Sequence, residues 1–422
     1  MTQNTWRSKP LYSAALGNVI EMYDFTLYAY LSPLLGQLFF PSSHPATSLL
    51  STYLVFAVGF LIRPFGGLFF GKIADKWGRK RSLFLSVLLM SVPTFCIGML
   101  PTYHTIGLWA PLLLATLRLL QGFSVGGEYV NSILYLTEHA PPSKKGWMGS
   151  FVLTSATIGW ILGSYTAHLI TRLFSPDTLL LYGWRLPFLI GGVLALIGCY
   201  FRSSLVETPE FQEVKETPAP SLRSVVQKEK WTLFKVIRLN TLPTIAGYLL
   251  FAYMPSYLHL HTDLSLERAL LINSWMLMLF LGLTPLMGYL SDKWGKEELM
   301  KGAGVGFILL SPPLFYLIAS GASETAILCA LSILTLLQAT YHAPLPALMS
   351  ESFPTKIRGT GVSLAYNSAV SLFSGTTPLM CTFLISAMGM SFAPGIYLMC
   401  AGVLSLTGLL NSLSHFIQEK TA

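Results

Sequence analysis

The sequence predicts an all-α membrane protein of twelve transmembrane helices, arranged as two pseudo-symmetric six-helix bundles. Three observations lead there. The chain is 53% hydrophobic and 11% charged, with a mean hydropathy of +0.58, whereas an ordinary soluble domain carries about 25% charged residues. Apolar stretches of roughly 20 residues, the length a helix needs to cross a bilayer, recur twelve times. The basic turn Arg63–Arg81 returns in fainter form at Gly288–Lys296, and Glu138, Pro141, Lys145 and Gly146 recur as Glu351, Pro354, Arg358 and Gly359. These echoes lie 213 to 217 residues apart, so two similar halves, 1–204 and 239–422, follow one another across a linker at 205–238. A β-barrel does not fit, because runs such as Leu83–Met90 and Trp275–Leu281 lack the strict polar/apolar alternation of barrel strands.

The first span, near 11–36, carries Asn18, Glu21, Asp24 and Tyr28 at steps of three, three and four, one stripe of a helix. Arg7 and Lys9 precede it as in a signal peptide, but its acids and the lack of a cleavage site mark a retained span. The second, 49–73, runs into the basic turn, and the third is 82–101. The fourth, 107–136, holds Arg118, Gln121, Gly122, Gly126, Gly127 and Glu128. Its glycines follow no strand, so they do not suggest a dinucleotide fold. The fifth, 147–171, has the small-residue pair Gly159 and Gly163, and the sixth is 185–204. The linker combines acids at Glu207–Glu213, Pro218 and Pro220, and a basic run through Lys228, Lys230, Lys235 and Arg238, which suits a cytoplasmic segment lying on headgroups. Spans near 238–259, 267–290, 300–320, 325–349, 360–386 and 393–416 complete the second half. Pro255, Pro285, Pro312, Pro313, Pro344, Pro346 and Pro378 punctuate them, read chiefly as packing features with bending as the alternative.

The net charge of +8 does not point to nucleic acid. Of 27 Lys and Arg, 22 fall on the side that holds both termini, and three (Arg172, Arg185, Arg268) fall on the other. This bias places the N- and C-termini on the cytoplasmic side of the membrane. Cys96, Cys199, Cys329, Cys381 and Cys400 sit in apolar spans without metal spacing and read as small buried hydrophobes. No metal site and no cofactor is expected. No GxxxxGK[ST] loop occurs, so nucleotide-driven pumping is disfavoured.

Charges within spans carry the chemistry, because each costs roughly 2.5–3.5 kcal/mol or more at mid-membrane unless it faces a partner or water. Proton carriage by Glu21 or Asp24 is the reading for the first stripe, since low-dielectric surroundings favour an uncharged carboxyl; a static ion pair is the alternative. Arg118 can grip a carboxylate with two parallel hydrogen bonds. That carboxylate could belong to a substrate or to Glu21, Asp24 or Glu128. In the second half, Tyr253, Tyr257, Gln338, Tyr341, His342, Tyr366 and Asn367 are candidates to line a cavity, and aromatic rings there could enclose a quaternary ammonium. Packing is the rival role for each. Gly71, Asp75, Gly78 and Arg79 read as a cytoplasmic latch, with Asp292 in its copy. Glu138 with Lys145, and Glu351 with Arg358, would complete it.

At these motifs the chain resembles the major facilitator superfamily, over nearly its whole length. Gly17-Asn18 with Glu21-Met-Tyr-Asp24-Phe25, Gln121–Tyr129, Gly183–Phe188, Glu207–Phe211, Phe353–Arg358 and Tyr366-Asn367 are similar to its metabolite:proton symporter branch. Within that branch the runs Leu61–Gly71, Thr94–Gly98, Gln121–Tyr129 and Tyr253–Leu258 look most like the osmoprotectant carriers of proline and betaine. The resemblance implies a secondary transporter that moves a small zwitterion with a proton by alternating access. Two features depart from that subgroup: Arg118 stands where those carriers have a lysine and organic-acid members an arginine, and no coiled-coil heptads follow the last span. The rival implied substrate is a di- or tricarboxylate such as citrate or 2-oxoglutarate, or a shikimate-like acid. Lys296-Glu297 replaces a usual basic pair, which predicts a weaker second latch. Substrate, protons and membrane lipid are the expected partners of a monomer. A membrane hydrolase would need a nucleophile–base set that Ser124 and His342 do not form.

Overall fold

A computed structural model describes residues 9–42, 45–203, 205–214 and 222–421. Arg7, Pro218, Pro220 and Ala422 lie outside the described residues. Where it is described, the chain is helical, turn or coil, and no strand occurs. In oil every backbone N–H and C=O must be satisfied within its own segment, and a helix does this.

Twelve rods result. In chain order they are α1 (Lys9–Tyr30, resumed as Ser32–Phe39), α2 (Pro45–Leu61, resumed as Arg63–Trp77), α3 (Arg79–Met99), α4 (Trp109–Glu138), α5 (Lys145–Leu173) and α6 (Arg185–Ser203). There follow α7 (Lys230–Tyr248, passing through the π-turn Leu249–Tyr253 into Met254–His261), α8 (Leu266–Trp294) and α9 (Lys296–Ala319). The last are α10 (Glu324–His342, resumed as Leu345–Glu351), α11 (Arg358–Phe373, resumed as Thr377–Met388) and α12 (Ala393–Thr421). Five rods are broken or tightened partway, and each resumes with proline in its first two positions: Pro33, Pro64, Pro255, Pro346 and Pro378. Proline lacks the N–H that an interior position must donate, so it is tolerated where a helix starts afresh. Pro255, Pro346 and Pro378 thus stand where a helical segment starts, not in a helix interior.

Eight rods (α2, α3, α6 and α8–α12) contain segments long and apolar enough to cross a membrane on composition alone. The other four include α1 and α4, whose interior polar stripes lower their hydropathy. Large apolar side chains such as Leu54, Leu61, Phe65, Leu181, Leu260 and Leu379 point outward, as lipid contact requires. The chain is an integral membrane protein. Cys329 and Cys400 are among the outward-facing residues. Only Cys199 and Cys381 are the buried small hydrophobes the sequence suggested, because an apolar span has a lipid face as well as a packed one.

The chain divides into two compact units. The first contains the described residues up to His139, those from Ser155 into the linker, and Thr355–Asn367. The second contains Ala140–Thr154, the residues from beyond the linker to Pro354, and those from Ser368 onward. In the first, α3 packs on α4 and α6, α2 on α4, and α1 on α6 and α4. In the second, α9 packs on α12 and α10, α7 on α12, and α8 on α10.

Candidate functional site

The α1 stripe folds inward: Asn18, Glu21, Asp24 and Tyr28 are all buried. Asn18 donates to Ser155 Oγ at 2.9 Å. Asp24 accepts from Thr94 Oγ1 of α3 and from Gln121 Nε2 of α4, the latter at 2.7 Å. Tyr28 donates to the Thr52 carbonyl at 3.2 Å. Neither carboxylate oxygen of Glu21 has a hydrogen-bond partner.

The α4 stripe faces it. Close approach of α2 makes this possible, since a Cβ at Gly126 would lie 2.7 Å from the Gly67 nitrogen and one at Gly122 the same distance from Gly59 Cα. Arg118 donates to Gln121 Oε1 at 2.9 Å, and its Nε and Nη2 are buried without partners. Its guanidinium carbon lies 4.3 Å from the Tyr28 ring centroid, 4.9 Å from Phe25 and 5.5 Å from Phe56. The carboxylate expected beside Arg118 is therefore not a direct neighbour within the protein. Gln121 stands between, accepting from Arg118 and donating to Asp24, because an amide carries both a donor and an acceptor.

Glu128 has a different fate. It is in an ion pair with Arg202 of α6, which donates through Nη1 at 2.6 Å and through Nη2. Ser86 Oγ also donates to it. Arg202 further donates to the Leu83 carbonyl at 2.8 Å. The sequence reading had not singled out Arg202, which sits at the end of an apolar run and resembles an interfacial cation. Arg63, which the sequence places within the second span without a specific role, is a further buried cation of this unit. It is 5% exposed, its Nε has no partner, and its guanidinium carbon lies 4.4 Å from the Phe60 ring and 4.7 Å from Phe25. The spacing Phe56, Phe60, Arg63 on α2 is the signal that could have found it, since steps of four and three share a helix face. Apart from the latch described below, the buried charges of this unit among the described residues are Glu21, Asp24 and Glu128 against Arg63, Arg118 and Arg202.

The second unit offers neutral polar groups instead. Gln338 donates to the Pro243 carbonyl at 2.8 Å and lies 3.4 Å from His342 Nδ1, while its Oε1 is buried without a partner. Tyr341 donates to the Leu239 carbonyl at 3.2 Å. Tyr257 donates to the Ser391 carbonyl at 2.9 Å, and Tyr253 is 3.3 Å from Thr382 Oγ1. Tyr366 and Asn367 fall within the first unit, although they come from the second repeat. The Tyr366 ring stacks on Tyr129 at 4.8 Å, and Asn367 donates to the Gly126 carbonyl at 2.7 Å.

The repeated turns form matching caps. Asp75 accepts from the backbone N–H groups of Gly359 and Thr360 at 2.8 and 2.7 Å, at the start of α11. Asp292 accepts from those of Gly146 and Trp147, both at 2.8 Å, at the start of α5. A helix N-terminus has free N–H groups and a positive dipole end, so an aspartate is suited to each place. Close glycine contacts accompany each cap. A Cβ at Gly71 would lie 2.7 Å from the Gly359 oxygen, and one at Gly288 would lie 2.9 Å from the Gly146 oxygen. Gly78 has φ of 100° and ends the first turn in a conformation that suits glycine. Around the first cap, Arg79 pairs with Asp75 and Glu138, and Glu138 pairs in turn with Arg358 at 3.0 Å. Glu138 thus joins Arg358 of the opposite repeat. The sequence pairs Glu138 with Lys145 and Glu351 with Arg358 as copies of one repeat, whereas packing of the α11 start beside α2 brings Arg358 to Glu138. Around the second cap, Glu351 pairs with Lys296 at 2.7 Å. Burial pushes the His139 imidazole below its ordinary value, and its Nδ1 lies 2.8 Å from the Tyr135 carbonyl, so a neutral ring donates there.

The Major Facilitator Superfamily profile matches residues 14–378. Over 417 residues the chain is 37% identical to the glycine betaine/proline/ectoine/pipecolic acid transporter OusA of Dickeya dadantii (strain 3937), covering 95% of this chain and 82% of that one. It is 36% identical over 413 residues to the proline/betaine transporter of Escherichia coli (strain K12), covering 94% and 82%. The solved structure of the proton:xylose symporter XylE bound to 6-bromo-6-deoxy-D-glucose matches with a TM-score of 0.77 at 18% identity, over 95% of this chain and 94% of that one. The transporter FucP in the outward conformation matches with a TM-score of 0.72 at 14% identity, over 95% and 97%. At these identities the structures speak to the fold alone.

Proposed function

The chain belongs to the major facilitator superfamily, and on that premise we propose that it is a proton-coupled symporter of a small zwitterion such as proline or glycine betaine. It is a carrier rather than an enzyme, working by alternating access in the bacterial inner membrane with both termini cytoplasmic. The observation that supports the substrate class most directly is Arg118. Two of its donors are buried without partners, and three aromatic rings surround it. A substrate carboxylate can satisfy those donors, and ring faces nearby suit a cationic nitrogen. The relatives' names, which include proline and betaine, agree with this class.

Glu21 and Asp24 are the proton carriers in this reading, since Glu128 is already neutralised by Arg202. The two aspartate caps act as cytoplasmic latches that hold one conformation and release in the other. Gln338 and His342, with Tyr253 and Tyr257, are the second-half groups assigned to the substrate path.

A dicarboxylate is the second reading, and one observation favours it. The guanidinium groups of Arg63 and Arg118 both lie within 5 Å of the Phe25 ring centroid, a spacing two carboxylates could use. Charge separates the two readings. With all six buried groups ionised, three acids balance three arginines. One proton then gives +1, a zwitterion adds nothing, and a dicarboxylate adds −2. An inside-negative potential, worth about 2.3 kcal/mol per charge at 100 mV, should therefore speed zwitterion uptake. Proteoliposomes with a potassium diffusion potential test this; a rate slowed or unchanged by the potential overturns the zwitterion reading.

Arg118→Lys supplies another check. A lysine keeps one point charge but loses the two-pronged grip. Uptake of labelled proline or betaine should fall by no more than about fivefold, whereas Arg118→Gln should lose at least about tenfold. Equal, near-complete loss in both variants would point to the organic acid. Abolition of accumulation by a protonophore is expected in either case.

A further inference from the structure

Arg63 has no task in the zwitterion reading above, yet the fold goes to some length to present it. α2 breaks at Ile62 and resumes at Arg63 with Pro64 behind it. Gly126 of α4 lies so close to this backbone that a Cβ there would clash with the Arg63 carbonyl. The guanidinium rests on the Phe25 and Phe60 rings, and no carboxylate among the described residues lies within ion-pair distance of it. On α1, Glu21 sits one turn before Phe25 with both oxygens unpartnered.

The other charges around Glu21 are committed elsewhere. The charged groups facing it are Asp24 from its own helix, Arg63 from α2, Glu128 from α4 and Arg202 from α6, and the Tyr129 hydroxyl of α4 feels its charge. Arg202 is engaged by Glu128 and the Leu83 carbonyl. Arg118 is engaged by Gln121 and through it reaches Asp24. Arg63 is the cation in this group that makes no hydrogen bond or ion pair to a protein side chain among the described residues.

We propose that Arg63 is a positioning residue for proton coupling, the counter-ion that Glu21 takes up when it gives up its proton. While Glu21 carries the proton it is neutral and Arg63 stays on its rings. On release the Glu21 O–H bond breaks, the electron pair stays on the carboxylate and the proton passes to water. The guanidinium then turns from the rings to the carboxylate. Rebinding a proton reverses the exchange. Pairing with Arg63 lets the empty carrier reorient without an isolated negative charge in oil. The inference rests on the proton-coupled reading of this site.

The test uses full-length protein in proteoliposomes with labelled proline or glycine betaine. Arg63→Gln removes the counter-ion, Arg63→Lys keeps the charge, and Glu21→Gln removes the titrating group. Arg63→Gln should lose at least about tenfold in accumulation driven by a pH gradient while losing clearly less in counterflow at equal pH, because counterflow needs no proton release. The remaining driven uptake should peak about one unit higher in pH, since a carboxyl without a positive neighbour gives up its proton less readily. Arg63→Lys should restore most of the coupling. Glu21→Gln combined with Arg63→Gln should be no worse than Glu21→Gln alone. The inference is overturned if Arg63→Gln keeps the parent's accumulation and pH profile, or if it loses counterflow as heavily as accumulation. A parent carrier whose accumulation survives a protonophore overturns proton coupling itself and this inference with it; a coupled parent with a coupled Arg63→Gln overturns the inference alone.

Discussion

Arg202→Met is expected to destabilise the folded carrier by roughly 3–5 kcal/mol, the usual penalty for stranding a buried charge. The Glu128 carboxylate accepts from both terminal nitrogens of Arg202 and from Ser86, and both members of the pair are buried. Removing the arginine leaves an anion in oil with only the Ser86 and Ser132 hydroxyls for company. It also frees the Leu83 carbonyl at the α3–α6 contact. The double change Glu128→Gln with Arg202→Met should recover much of the loss, because a neutral amide costs far less to bury than a carboxylate. Yield of monodisperse protein and the melting temperature in detergent are the readouts. An Arg202→Met variant that melts within about 1–2 °C of the parent would mean that the pair carries little of the fold.

Asp75→Ala should slow transport far more than Asp292→Ala, although the two aspartates are equivalent by repeat. Each accepts two backbone N–H groups at a helix start, and hydrogen bonds to charged groups contribute about 1.5–3 kcal/mol apiece. The surroundings differ. Arg79 and Glu138 have side chains with no exposure, and Arg358, Glu207, Thr208 and Glu210 extend the same network. Lys296 and Glu351, the counterparts of Arg79 and Glu138, are 18% and 36% exposed. Water screens that second pair, and exposed ion pairs contribute about 0–1 kcal/mol. Losing Asp75 also leaves Arg79 with one fewer counter-charge in a dry setting. A reduction in initial uptake rate on the order of tenfold is expected for Asp75→Ala, and a few-fold at most for Asp292→Ala, since 1.4 kcal/mol in a conformational balance is a factor of ten. Equal losses in the two variants would show that burial around the first cap adds nothing.

The linker was only partly legible. Its proline and charge pattern read as a surface segment, yet Glu207 accepts from the backbone nitrogens of Arg79 and Lys80 at 2.9 and 3.3 Å. Phe211 is buried with its ring 5.3 Å from the Arg79 guanidinium. The family resemblance marks Glu207–Phe211 as a motif, but nothing in its spacing says that the start of α3 is what it caps. Likewise the candidates Tyr257 and Tyr341 are recognisable as polar aromatics in spans, while the carbonyls that receive their hydroxyls belong to segments 134 and 102 residues away.

Hydropathy and internal repetition, both properties of the chain read in one dimension, determined that this is a helical membrane protein of two related halves. They also determined which charges are costly, because a side chain such as Glu21 or Arg118 carries its desolvation penalty wherever its helix turns. Which partner meets that penalty was decided by tertiary structure alone. Arg118 bonds Gln121 rather than a carboxylate, Glu128 belongs to Arg202, and Glu138 belongs to Arg79 and Arg358. The reason is geometric: glycine contacts and proline breaks set how closely and at what rotation two helices meet, and an ion pair forms or fails over a few ångströms that spacing along the chain does not encode.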